Sequence, residues 1–192
     1  GGNNLTIWRQ LSMVSVNLSA MSLADQKFMN WLEMRLMVEP ELVSKLCFEI
    51  TETAAVSQLD QATGLIDLLR PFGCKIALDD FGSGFSSFAY LKCLDVDYVK
   101  IDGQFVVNLC ENRSDKAIVT AICQLGRDMG FEVIAEFVEN IEIGLYLKNI
   151  GVDYAQGYAI NKPMRLAELP HGLRTPWLTS ATLGDNLTAL ND

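Results

Sequence analysis

The sequence predicts an α/β fold, because segments rich in β-branched and aromatic residues alternate with longer segments of helical periodicity. Repeated strand-then-helix units imply a parallel sheet, since each right-handed crossover returns the chain beside the preceding strand. Such a sheet is either a closed barrel or an open, doubly wound sheet. A third observation favours the barrel: polar residues recur at the carboxyl end of nearly every strand, where a parallel barrel places its active site.

Six segments are predicted to be strands. In chain order they are MVSVNLS at 13–19, LCFEIT at 46–51, KIALDD at 75–80, YVKID at 98–102, EVIAE at 132–136 and YAQGY at 154–158. No Gly-x-Gly-x-x-Gly motif follows the first of them, which counts against a nucleotide-binding open sheet. The sequence therefore predicts a TIM-type (β/α) barrel in which about six of the eight strands are visible.

The segments between the strands carry helical patterns. They are DQKFMNWLEMRLM at 25–37, SQLDQATGLIDLLR at 57–70, SDKAIVTAICQLGRDMG at 114–130 and NIEIGLYLKNIG at 140–151. Gly130 and Gly151 end two of these patterns, and Gly73 follows a third just after Pro71. Glycine at such positions is typical of a helix C-cap.

The composition limits the classes of partner. The chain has 192 residues, of which 49% are hydrophobic and 20% charged, and this fits one globular domain with a substantial core. The net charge of -9 and the lack of a basic run disfavour binding to polymeric nucleic acid, whereas a small anionic ligand can bind if metal ions supply positive charge. No apolar run reaches the roughly 18 residues of a membrane span and no signal peptide is evident, so we expect a cytoplasmic segment without membrane contact, in a parent protein that could be tethered.

The cysteines indicate a reducing environment. There are five, an odd number, and none shows the Cys-x-x-Cys spacing of a zinc or redox motif. We therefore expect buried free thiols in a reducing cytoplasm rather than a disulfide framework or a structural zinc site.

The polar residues at the strand ends form the candidate site. They are Asn17, Glu49, Glu52, Asp79, Asp80, Lys100, Asp102, Glu136, Glu139 and Gln156. One acid at a strand end is most often a helix N-cap or a solvated loop residue, but its repetition at successive strands makes independent capping a poor account. If the ends converge, the carboxylates either have raised pKa values or bind divalent cations.

The ligand types indicate which metal such a site would prefer. Hard oxygen donors and a single histidine, His171 in the C-terminal tail, point to Mg²⁺ or Mn²⁺ rather than zinc or copper. The chemistry that suits the site is metal-assisted hydrolysis of a phosphate ester. Asp79 and Asp80 are adjacent, so both cannot face inward from a regular strand. We expect the strand to end here, with Asp80 in the first turn of the following loop.

Six motifs carry a resemblance to a known family. They are VNLSA at 16–20, FEITET at 48–53, LDDFGSGFSS at 78–87, YVKIDGQFV at 98–106, VIAEFVEN at 133–140 and YAQGYAINKP at 154–163. In order and spacing they resemble the EAL-domain family of cyclic di-GMP phosphodiesterases. The resemblance implies a modified TIM-type barrel that cuts one phosphodiester bond of cyclic di-GMP, yielding linear pGpG, at a two-metal site holding Mg²⁺ or Mn²⁺. It assigns residues 1–169 to this domain and 170–192 to a C-terminal extension.

The resemblance also implies a role for each site residue. The metal ligands that the resemblance implies are Asn17, Glu49, Asp79, Asp80 and Glu136. The catalytic residues that it implies are Glu49, Asp79, Asp80, Glu136 and Lys100. Lys100 would hold the attacking water and the scissile phosphate, and Gln156 would contact a guanine or the metal shell. Glu139 would support the site from behind the ligands. Glu52 would anchor the loop that starts at Phe81.

The sequence departs from the family pattern in two places. The Glu-Ala-Leu motif is not in this chain, and with it the first two strands and one metal-binding carboxylate are missing, so the predicted barrel is N-terminally incomplete. Phe137 stands where the family usually has glycine, and Gly103-Gln104 replaces Arg-Ser. An alternative interpretation is therefore a catalytically impaired EAL domain that serves as a cyclic di-GMP sensor or dimerisation module. From the resemblance we also expect a homodimer, and an upstream GGDEF or sensory domain in a longer chain.

Overall fold

The computed structural model of the chain describes residues 11–38, 43–84 and 88–163. The chain divides into two compact units, Gly1–Asp102 and Gly103–Asp192. Strands and helices alternate in both units. His171 and the predicted extension at 170–192 lie outside the described residues.

The first unit contains four parallel strands in the order β1-β2-β3-β4. The strands are β1 (Val14–Leu18), β2 (Leu46–Thr51), β3 (Lys75–Phe81) and β4 (Tyr98–Ile101). The helices are α1 (Ala20–Ala24), α2 (Gln26–Leu36), α3 (Glu52–Ser57) and α4 (Leu59–Leu69), and short 3-10 turns cover Arg70–Phe72 and Phe88–Lys92. β2 and β3 are buried along most of their length, as expected of parallel strands covered on both faces.

The second unit contains a pair of parallel strands, β5 (Glu132–Ala135) and β6 (Tyr154–Ala155). A 3-10 turn at Gly103–Phe105 leads to α5 (Arg113–Met129), and α6 (Ile141–Ile150) joins the two strands. Both helices end at a glycine in the left-handed conformation, Gly130 with φ 88° and Gly151 with φ 88°. The predicted C-caps are therefore confirmed, as is that of Gly73 with φ 76°.

Three sequence predictions of element bounds were wrong. β3 does not end at the adjacent aspartates but continues to Phe81. The helical pattern at 57–70 begins only at Leu59, because Gln58 leaves the helical conformation with φ -134° and separates α4 from the shorter α3. β6 has two residues rather than five, and just after it the Gly157 backbone lies so close to Val138 that a Cβ atom would be 2.3 Å from its backbone N and O.

The cysteines are all free, but they do not share one environment. Cys47, Cys74 and Cys123 are buried as predicted, and burial raises the pKa of Cys47 to about 12 and those of Cys74 and Cys123 to about 11. Cys93 is exposed, so the expectation of a buried thiol was wrong there, and Cys110 is half-buried. Cys93 directly follows the 3-10 turn Phe88–Lys92, beside the exposed Lys92.

Within the described ranges, no helix has both the length and the apolar character required to cross a membrane.

Candidate active site

A β-bulge places the two adjacent aspartates. Leu78 pairs with Val99 and Phe81 with Ile101, so Asp79 and Asp80 together lie opposite one residue, Lys100. Asp80 adopts a left-handed conformation with φ 54°, which aspartate tolerates better than most residues other than glycine. A bulge of this kind bends the strand and re-aims a side chain. The bulge therefore lets two adjacent side chains depart from the regular alternation between the faces of β3. The prediction that the strand ends at this pair was wrong.

Lys100 forms a buried ion pair with two carboxylates. The residue is 4% exposed, and its Nζ atom donates a hydrogen bond of 2.8 Å to Oε2 of Glu49. The same Nζ lies 2.9 Å from Oδ1 of Asp79. Glu49 pairs in register with Ala77, so Asp79, two residues further along β3, shares the face of Glu49. A single cation therefore lies between acids from two neighbouring strands.

One oxygen of this group retains coordinating capacity. Oδ1 of Asp79 is buried and accepts no hydrogen bond from the described residues, although it makes the ion pair with Lys100. Burial and the charges of Asp79 and Asp102 raise the pKa of Asp80, and Lys100 opposes them in part. Crowded carboxylates of this kind favour either a proton or a cation between them.

Asn17 lies beside this cluster on the neighbouring strand. It pairs in register with Glu49 across β1 and β2, which places the two side chains on the same face. The Asn17 side chain is exposed, whereas Glu49 is 6% exposed. An amide oxygen at this position would be a neutral metal ligand, which adds no further negative charge.

Glu52 connects β2 to the segment after β3. It is the first residue of α3 and is 1% exposed. Its Oε2 accepts a hydrogen bond from the backbone N–H of Gly82 at 2.8 Å, and its Oε1 accepts one from the Tyr90 hydroxyl at 2.7 Å. Stacked rings of Phe81 and Phe88, with centroids 5.4 Å apart, add an apolar contact at the same place. Glu52 therefore holds both ends of the chain segment that follows the aspartate pair.

Tyr90 is a further residue of this site that the motifs in the sequence did not indicate. Burial and the hydrogen bond to the Glu52 carboxylate raise the pKa of its hydroxyl above the ordinary value of 10.0. The available signal was a tyrosine within the apolar segment FAYLK, since a buried tyrosine hydroxyl usually requires a partner. Its partner could not be read from the sequence because the two residues are far apart in the chain.

In the second unit, Glu136 directly follows β5 and is 9% exposed. Gln156 follows β6 and donates its backbone N–H to the carbonyl of Ala135 at 2.8 Å, while its own carbonyl accepts the N–H of Val138 at 3.0 Å. Glu136 and Phe137 therefore lie between the two hydrogen bonds that the Gln156 backbone makes. The side chains of Gln156 and Glu139 are exposed.

The structure thus groups the predicted residues by unit. In the first unit it gathers Asn17, Glu49, Asp79, Asp80 and Lys100 at the carboxyl ends of neighbouring strands, with Glu52 beside them. In the second unit it brings the backbones of Glu136 and Gln156 together, and Glu139 lies on the exposed stretch before α6. The first group defines a class of protein: an α/β domain with a lysine-containing carboxylate cluster at its parallel strand ends, where such folds place their active sites.

Comparison with known proteins identifies the family. A sequence profile described as the EAL domain matches residues 4–163, so the chain belongs to the EAL domain family. Cyclic di-GMP phosphodiesterase PdeB of Shewanella oneidensis is 46% identical over 164 residues, which cover 85% of this chain and 19% of that protein. Cyclic di-GMP phosphodiesterase PdeF of Escherichia coli is 40% identical over 154 residues, covering 80% of this chain and 21% of that protein. The chain thus spans about a fifth of the length of these relatives.

Solved structures give the same result for the fold. The EAL domain of Mycobacterium smegmatis DcpA matches with a TM-score of 0.76 and 31% identity, covering 86% of this chain and 74% of that one. The PaMucR phosphodiesterase in complex with c-di-GMP matches with a TM-score of 0.74 and 34% identity, covering 82% of this chain and 64% of that one. The predicted α/β fold class, a TIM-type barrel represented here by six strands in the described residues, is therefore confirmed.

Proposed function

We propose that this chain is the catalytic EAL domain of a phosphodiesterase that hydrolyses cyclic di-GMP to linear pGpG in bacterial second-messenger signalling. The observation that carries the proposal is the buried Lys100 between Glu49 and Asp79 at the carboxyl ends of parallel strands. Burying one cation between two acids carries a desolvation cost that their attraction offsets only in part, so the group is better explained by a function than by a gain in stability. The names of the relatives PdeB and PdeF support cyclic di-GMP as the substrate.

The donor set fits a divalent metal of the hard class. Oδ1 of Asp79 is buried and, among the described residues, faces the Lys100 ammonium at 2.9 Å, and the pKa of the neighbouring Asp80 is raised by burial and like charges. Mg²⁺ and Mn²⁺ prefer carboxylate and amide oxygens. The residues that would hold such ions, in a two-metal site, are Asn17, Glu49, Asp79, Asp80 and Glu136. When bound, the ions would lower the pKa of water and neutralise charge on the phosphoryl group.

The residues of the chain supply the remaining tasks. Lys100 is held by Glu49 and Asp79, so its ammonium is fixed as a point charge that can hold the attacking water and a phosphate oxygen. Glu52 fixes the segment after Asp80 through Gly82 and Tyr90. The exposed amide of Gln156 would bind a guanine edge. Glu139 would support Glu136 from the loop that follows it.

A second function is a catalytically impaired EAL domain that binds cyclic di-GMP as a sensor or serves in dimerisation. The observation that favours it is Phe137, a bulky residue with φ 53° and a 58% exposed side chain directly after Glu136. Such a residue could obstruct turnover without preventing binding. Under either function we propose that the protein acts in the cytoplasm as a homodimer, that a longer chain carries GGDEF or sensory domains, and that polymeric nucleic acid is not a ligand.

Product analysis distinguishes the two functions. The protein in its full natural length is incubated with cyclic di-GMP in Mg²⁺, Mn²⁺ or Ca²⁺, and pGpG is measured by chromatography. We expect pGpG in Mg²⁺ or Mn²⁺, and its loss in Asp79→Asn. The matched control is Asp67→Asn, which changes an exposed aspartate on α4. Tight binding with no product under any metal would instead establish the sensor, and full activity of Asp79→Asn would refute the assigned site.

A further inference from the structure

Phe137 has a backbone conformation and an exposure that its chemistry does not favour. Its φ of 53° lies in the left-handed region, which disfavours a residue with a Cβ atom. Its side chain is 58% exposed, although it is an aromatic hydrocarbon. Neither property helps the fold, so the residue requires another explanation. Non-glycine residues held in this region cluster at functional sites.

The ring of Phe137 is seated on Gly103. A Cβ atom added to Gly103 would lie 2.4 Å from Cδ2 and 2.7 Å from Cγ of Phe137, distances at which something must move. Gly103 is buried. One side of the ring therefore rests against a position where a Cβ atom would displace it, and the remainder of the ring is exposed. A fixed ring binds a flat ligand at a smaller loss of side-chain freedom than a mobile one.

The same local backbone arrangement occurs at the aspartate pair. Asp80, the residue that follows the acid Asp79, has φ 54°, and Phe137, the residue that follows the acid Glu136, has φ 53°. At the aspartate pair two residues stand opposite Lys100 of β4, and just past β5 and β6 two residues, Glu136 and Phe137, lie between the two hydrogen bonds of the Gln156 backbone. The arrangement re-aims the second side chain. At one place that side chain is a carboxylate, and at the other it is an aromatic ring.

We propose that Phe137 is a specificity-determining residue whose exposed ring stacks on a purine base of the cyclic dinucleotide. The inference rests on the proposed function and deepens it. The exposed side chain of Gln156, whose backbone is bonded on both sides of the Glu136-Phe137 pair, supplies amide groups suited to the hydrogen-bonding edge of the same base. Aromatic side chains bind bases through the π-face that every base presents, and neighbouring amides read the edge.

The test measures kcat and KM for cyclic di-GMP in Mg²⁺ and Kd in Ca²⁺, using the protein in its full natural length. Phe137→Leu keeps an apolar side chain but removes the π-face. We expect KM and Kd to rise about tenfold, the scale of one base-aromatic stack, with kcat changed less than about threefold. Phe137→Tyr and Phe137→Trp restore both values. Ile118→Leu, at an exposed apolar position on α5, is the control and leaves them unchanged.

A double-mutant cycle tests whether the contact with Gly103 positions the Phe137 ring. Gly103→Ala displaces the ring and raises KM in the wild-type background, but has little further effect in Phe137→Leu, whose ring is already gone. Unchanged KM and Kd in Phe137→Leu overturn the inference, and so does a failure of tyrosine and tryptophan to restore them. If the wild type neither binds nor cuts cyclic di-GMP, the proposed function fails and the inference fails with it. If the wild type turns over cyclic di-GMP but substitutions of Phe137 leave KM and Kd unchanged, only the inference is overturned.

Discussion

Lys100 on β4 lies opposite both Asp79 and Asp80 on β3, and its Nζ atom is 2.9 Å from Oδ1 of Asp79. The bulge makes this possible, because two residues of one strand share one neighbour on the other. The ammonium is also hydrogen-bonded to Glu49 at 2.8 Å, so it neutralises acids from two strands. We expect this lysine to stabilise the metal-free cluster and to act in turnover.

Lys100→Met tests both parts of that expectation. Removing one partner of a buried pair leaves charge uncompensated, and we expect the metal-free variant to lose about 3–5 kcal/mol of unfolding free energy. We expect turnover of cyclic di-GMP to fall by about 100-fold or more, since a charge aimed at the reacting phosphate is lost. Urea unfolding with and without Mg²⁺ and initial-rate assays provide the measurements.

The control for this variant is Lys27→Met, at an exposed lysine on α2. Mg²⁺ should raise the melting temperature of Lys100→Met more than that of the wild type, because the ion would then offset repulsion that the lysine no longer relieves. Equal effects of the two lysine substitutions on turnover would contradict the assigned role.

Tyr90→Phe tests whether Glu52 fixes the segment after the aspartate pair. The substitution leaves Oε1 of a carboxylate that is 1% exposed without its hydroxyl donor. We expect a loss of about 1–3 kcal/mol in unfolding free energy, the cost of leaving a buried acceptor unsatisfied. The amide of Gly82, which donates to the other oxygen of Glu52, should exchange its hydrogen faster.

The control is Tyr146→Phe, which keeps the ring that lies 5.0 Å from the ammonium of Lys116. We expect it to change stability by less than about 0.5 kcal/mol. Unaltered exchange at Gly82 in Tyr90→Phe would mean that the segment is held by other contacts, such as the stacked Phe81 and Phe88 rings.

The sequence was sufficient to predict the strands that carry the site. β2 and β3 are buried apolar runs with acidic residues near their carboxyl ends, and both features can be recognised from the local sequence. The left-handed backbone of Asp80 and Phe137 was not predictable in this way. Neither residue is a glycine, and their conformations depend on pairing with the neighbouring strand. The Tyr90 hydroxyl was missed for a similar reason, since its partner Glu52 is distant in sequence.

Gly157→Ala tests the close approach of Gly157 to the Val138 backbone just after β6. A Cβ atom at this position would lie 2.3 Å from the backbone N and O of Val138. We expect a destabilisation of about 1–3 kcal/mol or more, because backbone atoms cannot move aside as a flexible side chain can. The preceding residue, Gln156, should also shift, so KM for cyclic di-GMP should rise. Thermal unfolding and steady-state kinetics check both outcomes.

Gly64→Ala is the matched control, with the opposite expected sign. Nothing lies within 4 Å of a Cβ atom at Gly64, which is inside α4. Alanine should therefore stabilise the protein by about 0.5–1 kcal/mol through its better helix propensity. A destabilised Gly64→Ala, or a Gly157→Ala of wild-type stability and KM, would contradict these contacts.

Asp97 gives the first unit a defined dependence on acid. Its carboxylate accepts hydrogen bonds from Arg70 at 2.6 Å, from Lys75 at 2.7 Å and from the backbone N–H of Ile76 at 2.9 Å. Burial acts to raise the pKa of Asp97, but the bonds from Lys75, Ile76 and Arg70 outweigh it, so the pKa is lowered from its ordinary value of 3.8. The folded state therefore binds the proton more weakly than the unfolded state.

It follows that this stabilisation is fully present above the ordinary pKa of 3.8 and is lost as the pH falls through the lower pKa of the folded state. We expect Asp97→Asn to be less stable than the wild type by about 2 kcal/mol at neutral pH, since hydrogen bonds to a charged group are weakened. The difference should shrink below about pH 4, where the wild-type carboxyl is increasingly protonated. Urea unfolding of both proteins across this range measures it, with Asp67→Asn, at an exposed position on α4, as the control. A difference that stays constant into acid would show that packing, rather than charge, gives Asp97 its effect.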